Sequence, residues 1–340
     1  MRPSLKDIAN ELNLSKTTVS WVLSGRAQQK GISESTANKV LEYAMKLNYE
    51  PNLIARSLNT GTTKTIGLIL PSISDSFYSE VAREIESEAR KNGYSLMIAS
   101  SESDIDREDE MVRLFKAKVV DGIIIAPTKR SKIEIQRLID QSYPLVTIDR
   151  YFPELNATYI IINNRDSSYM LTKHLINKGC KKIGILTTNS YLTTMNQRRE
   201  GYEDALRESK LGIDPDLYGE VNFVDYEKNI YKVLDDILKN VPDVDGFFFT
   251  THILALEAFQ YFHKRGIKPE FEFASIHEVP IFQVVAPRIN VARMPVEEIG
   301  RNAVSLLIEQ IDFVKQNRTK RNRKIEPKQL ILSCSLDFRS

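Results

Sequence analysis

From Lys64 onward, short continuous apolar runs alternate with amphipathic helical stretches, and this alternation constrains the fold more than any other feature of the 340-residue chain. One set of runs is Ile66–Leu70, Ser95–Ala99, Gly122–Ala126 and Leu145–Ile148; a second is Ile183–Leu186, Gly246–Phe249 and Phe273–Ile276. A strand that is apolar along its whole length is buried on both faces. It therefore needs helices above and below, the arrangement of a parallel α/β sheet. The number of units predicts two such sheets, hence two lobes. Open sheets of this kind take ligands beyond the C-terminal ends of their strands. The corresponding loops are 71–78, 149–150, 187–196, 222–226, 250–253 and 276–280. They carry hydroxyls, carboxylates, an imidazole pair and aromatic faces, a mixture suited to a polar, hydroxylated solute such as a sugar.

The first sixty residues follow a different period. Leu5, Ile8, Ala9 and Leu12 share one helical face. Ser15 is a good N-cap for a second short helix whose Val19, Val22 and Leu23 point inward, and Ser24-Gly25 ends it. A third helix starts at Ser33 with Ala37, Val40, Leu41, Ala44 and Leu47 on its apolar face. Two short helices, a tight turn and a bracing helix make a helix-turn-helix; a three-helix bundle without a ligand has the same pattern. Lys16, Thr17, Ser20 and Trp21 face outward on the second helix, where a cation and hydroxyls reach phosphates or base edges. Asn52 then caps a two-turn helix through about residue 59, too short to be stable alone, and Gly61-Thr62-Thr63 is a join.

Charge agrees with this division. Residues 1–64 hold nine Lys or Arg against five Asp or Glu, and the remainder holds 38 against 40. A basic head on a neutral body suits a polyanion-binding module attached to a regulatory domain. The sequence has no apolar run of about 18 residues, so no membrane partner is expected, and its start does not read as a secretory signal. The expected location is the cytoplasm. Two cysteines, Cys180 and Cys334, and four histidines are too few and too scattered for a metal site. No metal and no cofactor is expected, and the cysteines read as core residues.

Four blocks in fixed order, Leu5-Lys6-Asp7-Ile8-Ala9, Ser15-x-x-Thr18-Val19-Ser20, Tyr49-x-Pro51-Asn52 and Ala55-Arg56-x-Leu58, resemble the N-terminal signature of the lactose-repressor/galactose-repressor family of bacterial transcription regulators. The resemblance implies a head that docks in the major groove, with Lys6, Ser15, Lys16, Thr17, Thr18, Ser20 and Trp21 at the DNA. It implies a hinge helix carrying Asn52, Ala55 and Arg56 that pairs with its twin in the minor groove. Leu58 takes the wedge position that unstacks the central base step; the other reading packs Leu58 on the sensor.

The rest of the chain resembles the family's two-lobed, type I periplasmic-binding-protein sensor. The marks are Asp149-Arg150, Arg198-x-x-Gly201-Tyr202-x-x-Ala205-Leu206, Pro295-x-x-Glu298-x-Gly300 and Arg339-Ser340. The implied fold is an all-α helix-turn-helix head at 1–50, a hinge and linker at 51–63, and an α/β sensor at 64–340. Its first lobe takes about 64–161 and 291–320, its second about 162–290 and 321–340. In relatives the arginine matching Arg198 clamps ligand oxygens and the aromatic matching Phe223 stacks on the ligand. Phe77 lies in the first cleft loop, and Asp75, Asp149, His252 and His277 complete the implied ligand set. Each has a plainer reading: a surface arginine, core aromatics, satisfied core histidines.

The sequence departs from relatives in three places. Trp21 stands where an arginine often reads guanine; an indole has one donor and cannot copy that contact. It touches a thymine methyl or sugar, or it tucks into the bundle. The Arg26–Gly31 loop is longer than usual by about three residues, judged against the ordinary helix-turn-helix connection. Thr251-His252 and His277-Glu278 replace positions where relatives carry acids, which points toward a more anionic ligand such as a sugar acid or phosphate.

The expected function is a homodimeric repressor, bound to a pseudo-palindromic operator in double-stranded DNA and switched by a small effector, a sugar or sugar derivative. The alternative is an architectural DNA-binding protein with no ligand. A nicotinamide enzyme would show G-x-G-x-x-G after the first strand, and residues 70–78 contain no glycine. No nucleophile elbow occurs either, so no enzyme is expected.

Overall fold

The computed structural model describes residues 3–50, 61–128, 131–188, 191–221, 226–268, 270–317, 319 and 324–339, with backbone alone at 226–228. It divides between Thr63 and Lys64 into two compact units.

The first unit holds α1 (Leu5–Glu11), α2 (Lys16–Leu23) and α3 (Glu34–Lys46). Ser4 and Asp7 form a capping box that starts α1. Asn13, at φ 51°, makes the tight turn, and Ser15 Oγ accepts from Thr18 N at 3.0 Å to cap α2. Gly25 takes φ 72° and ends that helix, a conformation glycine adopts without steric cost. Ile8, Ala9, Val19, Val22, Val40 and Ala44 are the buried core. Leu41 is not part of it: Val40 and Ala44 define the inner stripe of α3, and Leu41, one position round, stays 41% exposed. The long loop after α2 closes into a single 3₁₀ turn, Gln28–Lys30. Ala27 and Ile32 at its two ends pack on the core and are joined by a 2.9 Å backbone bond.

The second unit begins with β1 (Thr65–Leu70), α4 (Ser76–Lys91), β2 (Ser95–Ser100), α5 (Ile105–Ala117), β3 (Gly122–Ile125), α6 (Lys132–Asp140), β4 (Leu145–Ile148) and β5 (Tyr159–Ile162). It continues with α7 (Asn164–Asn177), β6 (Ile183–Thr188), α8 (Thr193–Glu208), β7 (Tyr218–Val221), α9 (Tyr226–Asn240), β8 (Gly246–Phe249), α10 (His252–Lys264), β9 (Glu272–Ile276), α11 (Phe282–Val285) and β10 (Asn290–Arg293). The last elements are α12 (Val296–Gln316), β11 (Gln329–Leu332) and β12 (Ser335–Asp337). These strands form two six-stranded sheets, β11-β5-β4-β3-β1-β2 and β12-β10-β9-β8-β6-β7. All pairs are parallel except β12, which runs antiparallel to β10.

The seven apolar runs are β1 to β4, β6, β8 and β9. Most are buried throughout, but β2 is an edge strand and half exposed. The lobes divide differently from the expectation. Strand β10 belongs to the second sheet rather than the first lobe, and β11 returns to the first sheet while only β12 stays in the second. The reason is that α12 is the crossover that delivers β11 parallel to β5. Gln310 fixes α12 to β4, its Oε1 accepting from Leu145 N at 2.8 Å and its Nε2 donating to Leu145 O at 3.0 Å. The chain therefore crosses between lobes after β5, after β10 and after β11. Asn163 joins two of these crossings: its Oδ1 accepts from Cys334 N at 3.0 Å, and its own N–H donates to Leu332 O at 2.9 Å.

Candidate functional site

A cleft of about 750 Å³ opens where the C-terminal ends of the two sheets face each other. On the first lobe, Asp75 caps α4, its Oδ1 accepting from Phe77 N at 2.8 Å and Tyr78 N at 3.3 Å. That cap sets Asp75 and Phe77 on the cleft wall. Burial lifts the Asp75 carboxyl to about 6, against the pull of its two N–H donors. Tyr78 donates its hydroxyl to Asp149 Oδ2 at 2.7 Å, and Asp149 turns out of β4 at φ 58° with Arg150 Nε 3.8 Å away.

On the second lobe, Arg198 is 3% exposed. Its Nε donates to Asn164 Oδ1 and its Nη1 to Thr250 O, both at 2.7 Å. The geometry depends on Gly201, one turn further along α8. A Cβ there would lie 2.1 Å from the Arg165 carbonyl oxygen, so only glycine lets α8 approach α7 closely enough for Arg198 to reach Asn164. With Nε and one Nη1 hydrogen spent, the Nη2 amine is left over where Arg198 lines the cleft.

The two histidines complete the floor. Thr251 caps α10 by accepting from Leu254 N at 3.4 Å, which sets His252 in the first turn. A hydrogen bond of 3.0 Å links His252 Nε2 to Ser76 Oγ across the lobes, with Asp75 Oδ1 at 3.6 Å. His277 follows β9 at φ 69° and packs edge-on against His252 and Phe77, with centroids 5.2 and 5.3 Å away. It is 5% exposed, and neither ring nitrogen has a hydrogen-bond partner among the described residues. Burial, then the neighbouring His277 and Arg198, hold His252 down to about 3. Burial and then Arg198 hold His277 at about 4. Both rings are therefore neutral near pH 7, and the contact between His252 and Asp75 is not an ion pair. The imidazoles add donors and acceptors to the cleft and no positive charge.

Asp75, Phe77, Asp149, Arg198, His252 and His277 thus meet in one cleft. Phe223 lies outside the described residues. The sequence reading missed Ser76 and Tyr78 as partners of His252 and Asp149, and missed the apolar wall of Leu192, Met195 and Met294. Ser76 and Tyr78 stood in the first cleft loop, so their signal was positional; Met294 had none. Arg339, a mark of the sensor, pairs with Asp337 at 2.8 Å and with Glu278, holding the segment after His277 to β12. Among the described residues no group of His, Cys, Asp or Glu could hold a metal ion.

In the head, Lys6, Ser15, Lys16, Thr17 and Ser20 are exposed, while Thr18 and Trp21 are half-buried. Ser15 and Thr18 spend their hydroxyls on each other, 2.8 Å apart. Thr17, Ser20, Trp21 and Ser24 follow the i, i+3, i+4, i+7 rule and form the outer stripe of α2. Asn52, Ala55, Arg56 and Leu58 lie outside the described residues.

Residues 4–52 match the family described as bacterial regulatory proteins, lacI family. Residues 63–334 match that of periplasmic binding proteins and the sugar-binding domain of the LacI family. The chain belongs to the LacI family. A ribose operon repressor of Haemophilus influenzae is 31% identical over 317 residues, 92% of this chain and 93% of the relative. The lac repressor dimer bound to operator and the anti-inducer ONPF superposes with a TM-score of 0.83 at 18% identity, covering 100% of this chain and 98% of that one. The Cra regulator from Pseudomonas putida, in complex with fructose 1-phosphate, gives a TM-score of 0.72 at 20% identity over 82% of this chain and 99% of that one. This LacI-family chain is accordingly a DNA-binding transcription regulator: its helix-turn-helix head binds DNA, and its two-lobed sensor takes a small ligand that controls that binding. No helix among the described residues is long and apolar enough to cross a membrane.

Proposed function

We propose that the chain is a repressor that binds a pseudo-palindromic operator in double-stranded DNA as a homodimer, and that a neutral sugar or sugar derivative in the cleft sets its operator affinity. The orphaned ring of His277 carries the reading of the ligand. A buried imidazole with both nitrogens unpartnered lacks about two hydrogen bonds, and two hydroxyls of a polyol supply them, one donating to the bare nitrogen and the other accepting from the N–H. Asp75 and Asp149 supply acceptors, the Arg198 Nη2 amine supplies donors, and Phe77 supplies an apolar face for a sugar ring. Neutral histidines bring no charge to an acidic or phosphorylated ligand, which would have to rest on Arg150 and Arg198 alone. The ribose operon repressor supports a carbohydrate, and the operator-bound lac repressor dimer supports the DNA and the second copy.

A second copy also suits the surface. Edge strand β2 exposes Ile98 at 46%, and α11 exposes Val284 at 76%. An uncovered edge strand with apolar side chains is a template for another chain. Asn52, Ala55, Arg56 and Leu58 are proposed as the minor-groove contacts, with Leu58 as the wedge. We read the chain as a regulator with no catalytic role, working in the cytoplasm where its DNA is.

An effector that binds one arrangement of the lobes better than the other shifts that equilibrium, and operator affinity shifts with it, reciprocally. Coupling of about 1–3 kcal/mol changes affinity about 5- to 150-fold. The test is calorimetry of the full chain with neutral sugars, their uronates and their phosphates, alongside operator binding. Tight binding of a neutral sugar that also shifts operator affinity is the expected result. Preference for the uronate or phosphate refutes the neutral ligand, and a tight operator complex that no solute alters favours the architectural alternative.

A further inference from the structure

The loop after α2 and the tryptophan on α2 belong to one device. Trp21 sits on the outer stripe of α2 between Thr17 and Ser24, the stripe that faces a major groove if the helix reads DNA. The following loop is anchored at both ends: Ala27 and Ile32 pack on the head core, and Arg26 N donates to Trp21 O at 2.8 Å. Between these anchors, Lys30 N donates to Arg26 O at 3.1 Å, and Gly31 turns the chain at φ 67°. The result is that Lys30 Nζ stands over the Trp21 ring, 5.3 Å from its centroid. An ammonium at that distance is attracted to the electron-rich indole face. Lys30 is exposed and has no ion pair with a carboxylate among the described residues.

The geometry points to Lys30 as a DNA phosphate contact that Trp21 positions, with the loop insertion serving to bring the ammonium to the reading face. This rests on the proposed docking of α2 in the major groove. An arginine at position 21 would combine charge and base reading in one side chain. Here the two tasks are divided: the ammonium is supplied from the loop, and the indole supplies a flat apolar surface beside the bases and a platform for the charge. A lysine bound to a ring loses fewer rotamers on meeting a phosphate than a free one. Because phosphates carry no sequence information, Lys30 contributes equally to every duplex, whereas Trp21 affects operator preference as well.

The experiment is a salt titration of DNA binding by the full chain, using the duplex upstream of its own coding sequence and an unrelated duplex of equal length. Wild type, Lys30→Ala, Trp21→Ala, Trp21→Phe and the two double variants Lys30→Ala/Trp21→Ala and Lys30→Ala/Trp21→Phe are compared, with circular dichroism to verify that each head is folded. Lys30→Ala is expected to weaken binding to both duplexes by the same factor and to reduce the slope of log K against log salt by about 0.9, the counterions released per phosphate. Its effect is expected to shrink by about two- to fivefold in the Trp21→Ala background, the range of an exposed cation–π pair. Trp21→Phe keeps a ring under the ammonium and retains most of that coupling. An unchanged slope in Lys30→Ala, or an equal Lys30→Ala effect in all three backgrounds, overturns the inference while leaving the head as a DNA-binding module. Wild type that binds neither duplex overturns the docking of α2 as well.

Discussion

Replacing Arg198 by methionine separates the effector site from the fold that carries it. The substitution keeps the unbranched stem and removes the guanidinium. In the protein, it takes the donors from Asn164 Oδ1 and Thr250 O, both held at 2.7 Å. Each orphaned acceptor costs about 1–3 kcal/mol. Against this, the variant no longer buries a charge that its surroundings disfavour, since burial pulls the Arg198 ionisation downward. The two effects oppose each other, and the net change in stability is expected to stay within about 2 kcal/mol. Effector binding has no such compensation. One lost charged hydrogen bond to a ligand oxygen is worth about 1.5–3 kcal/mol, which is about a 10- to 150-fold loss of affinity. Calorimetry with the effector, a thermal melt and an operator mobility shift read the three quantities. The expected variant melts nearly like wild type, binds operator, and needs about 10- to 150-fold more effector to respond. Effector affinity within about threefold of wild type, a difference of about 0.6 kcal/mol, would refute the clamp and leave Arg198 as a strut between Asn164 and Thr250.

The pH dependence of the sensor follows from the same cleft. His252 and His277 are held down to about 3 and about 4 from an unfolded value near 6.5, so the native state binds fewer protons, and stability present above pH 6.5 is lost as pH falls toward 4. Asp75, lifted from 3.8 to about 6, and the buried Glu108, lifted from 4.5 to about 7, act in the opposite sense over pH 6 to 3.8 and pH 7 to 4.5, so the histidine contribution is read as the difference between variant and wild type. Between pH 6.5 and 4.5 the melting temperature of a His252→Phe/His277→Phe variant should gain on that of wild type; an equal pH response in the two contradicts the argument. Gly201→Ala should destabilise the sensor by about 1–3 kcal/mol through overpacking and weaken effector binding with it, because α8 must move off α7 and take Arg198 along. A melt unchanged by that substitution refutes the close approach. Leu58→Ala should weaken operator binding and reduce DNA bending together, and unchanged bending in a gel-phasing assay removes the wedge assignment.

The parts of the fold that were legible are those where burial forces a simple pattern. Strands such as β3 and β8 are covered on both faces, so they read as unbroken apolar runs. Edge strands are different: β7 (Tyr-Gly-Glu-Val) and β11 (Gln-Leu-Ile-Leu) mix polar and apolar residues because one side meets solvent. Strand β5 is fully buried and its signal was available in Tyr159–Ile162. The lobe crossings could not be read, since nothing in the composition of 290–337 says which sheet each short strand joins. In the site, residue types pointed to a polar cleft, but the protonation of His252 and His277 depends on how deeply they are buried, and that is a property of the packed lobes. The partnership of Trp21 and Lys30 hung on the exact path of a loop whose length was visible and whose closure was not.

Trp21 is the only tryptophan in the chain and lies on the outer stripe of α2, the proposed reading face, so its emission reports directly on the central claim. The measurement is a fluorescence titration of the full chain with its own upstream duplex and with unrelated DNA at fixed salt, followed by addition of pooled neutral sugars, sugar acids and sugar phosphates. The account predicts a saturable change with the upstream duplex at concentrations where unrelated DNA gives little, and a reversal or strengthening of it by a neutral sugar. No response to the upstream duplex, with no shifted band in a gel, would contradict it.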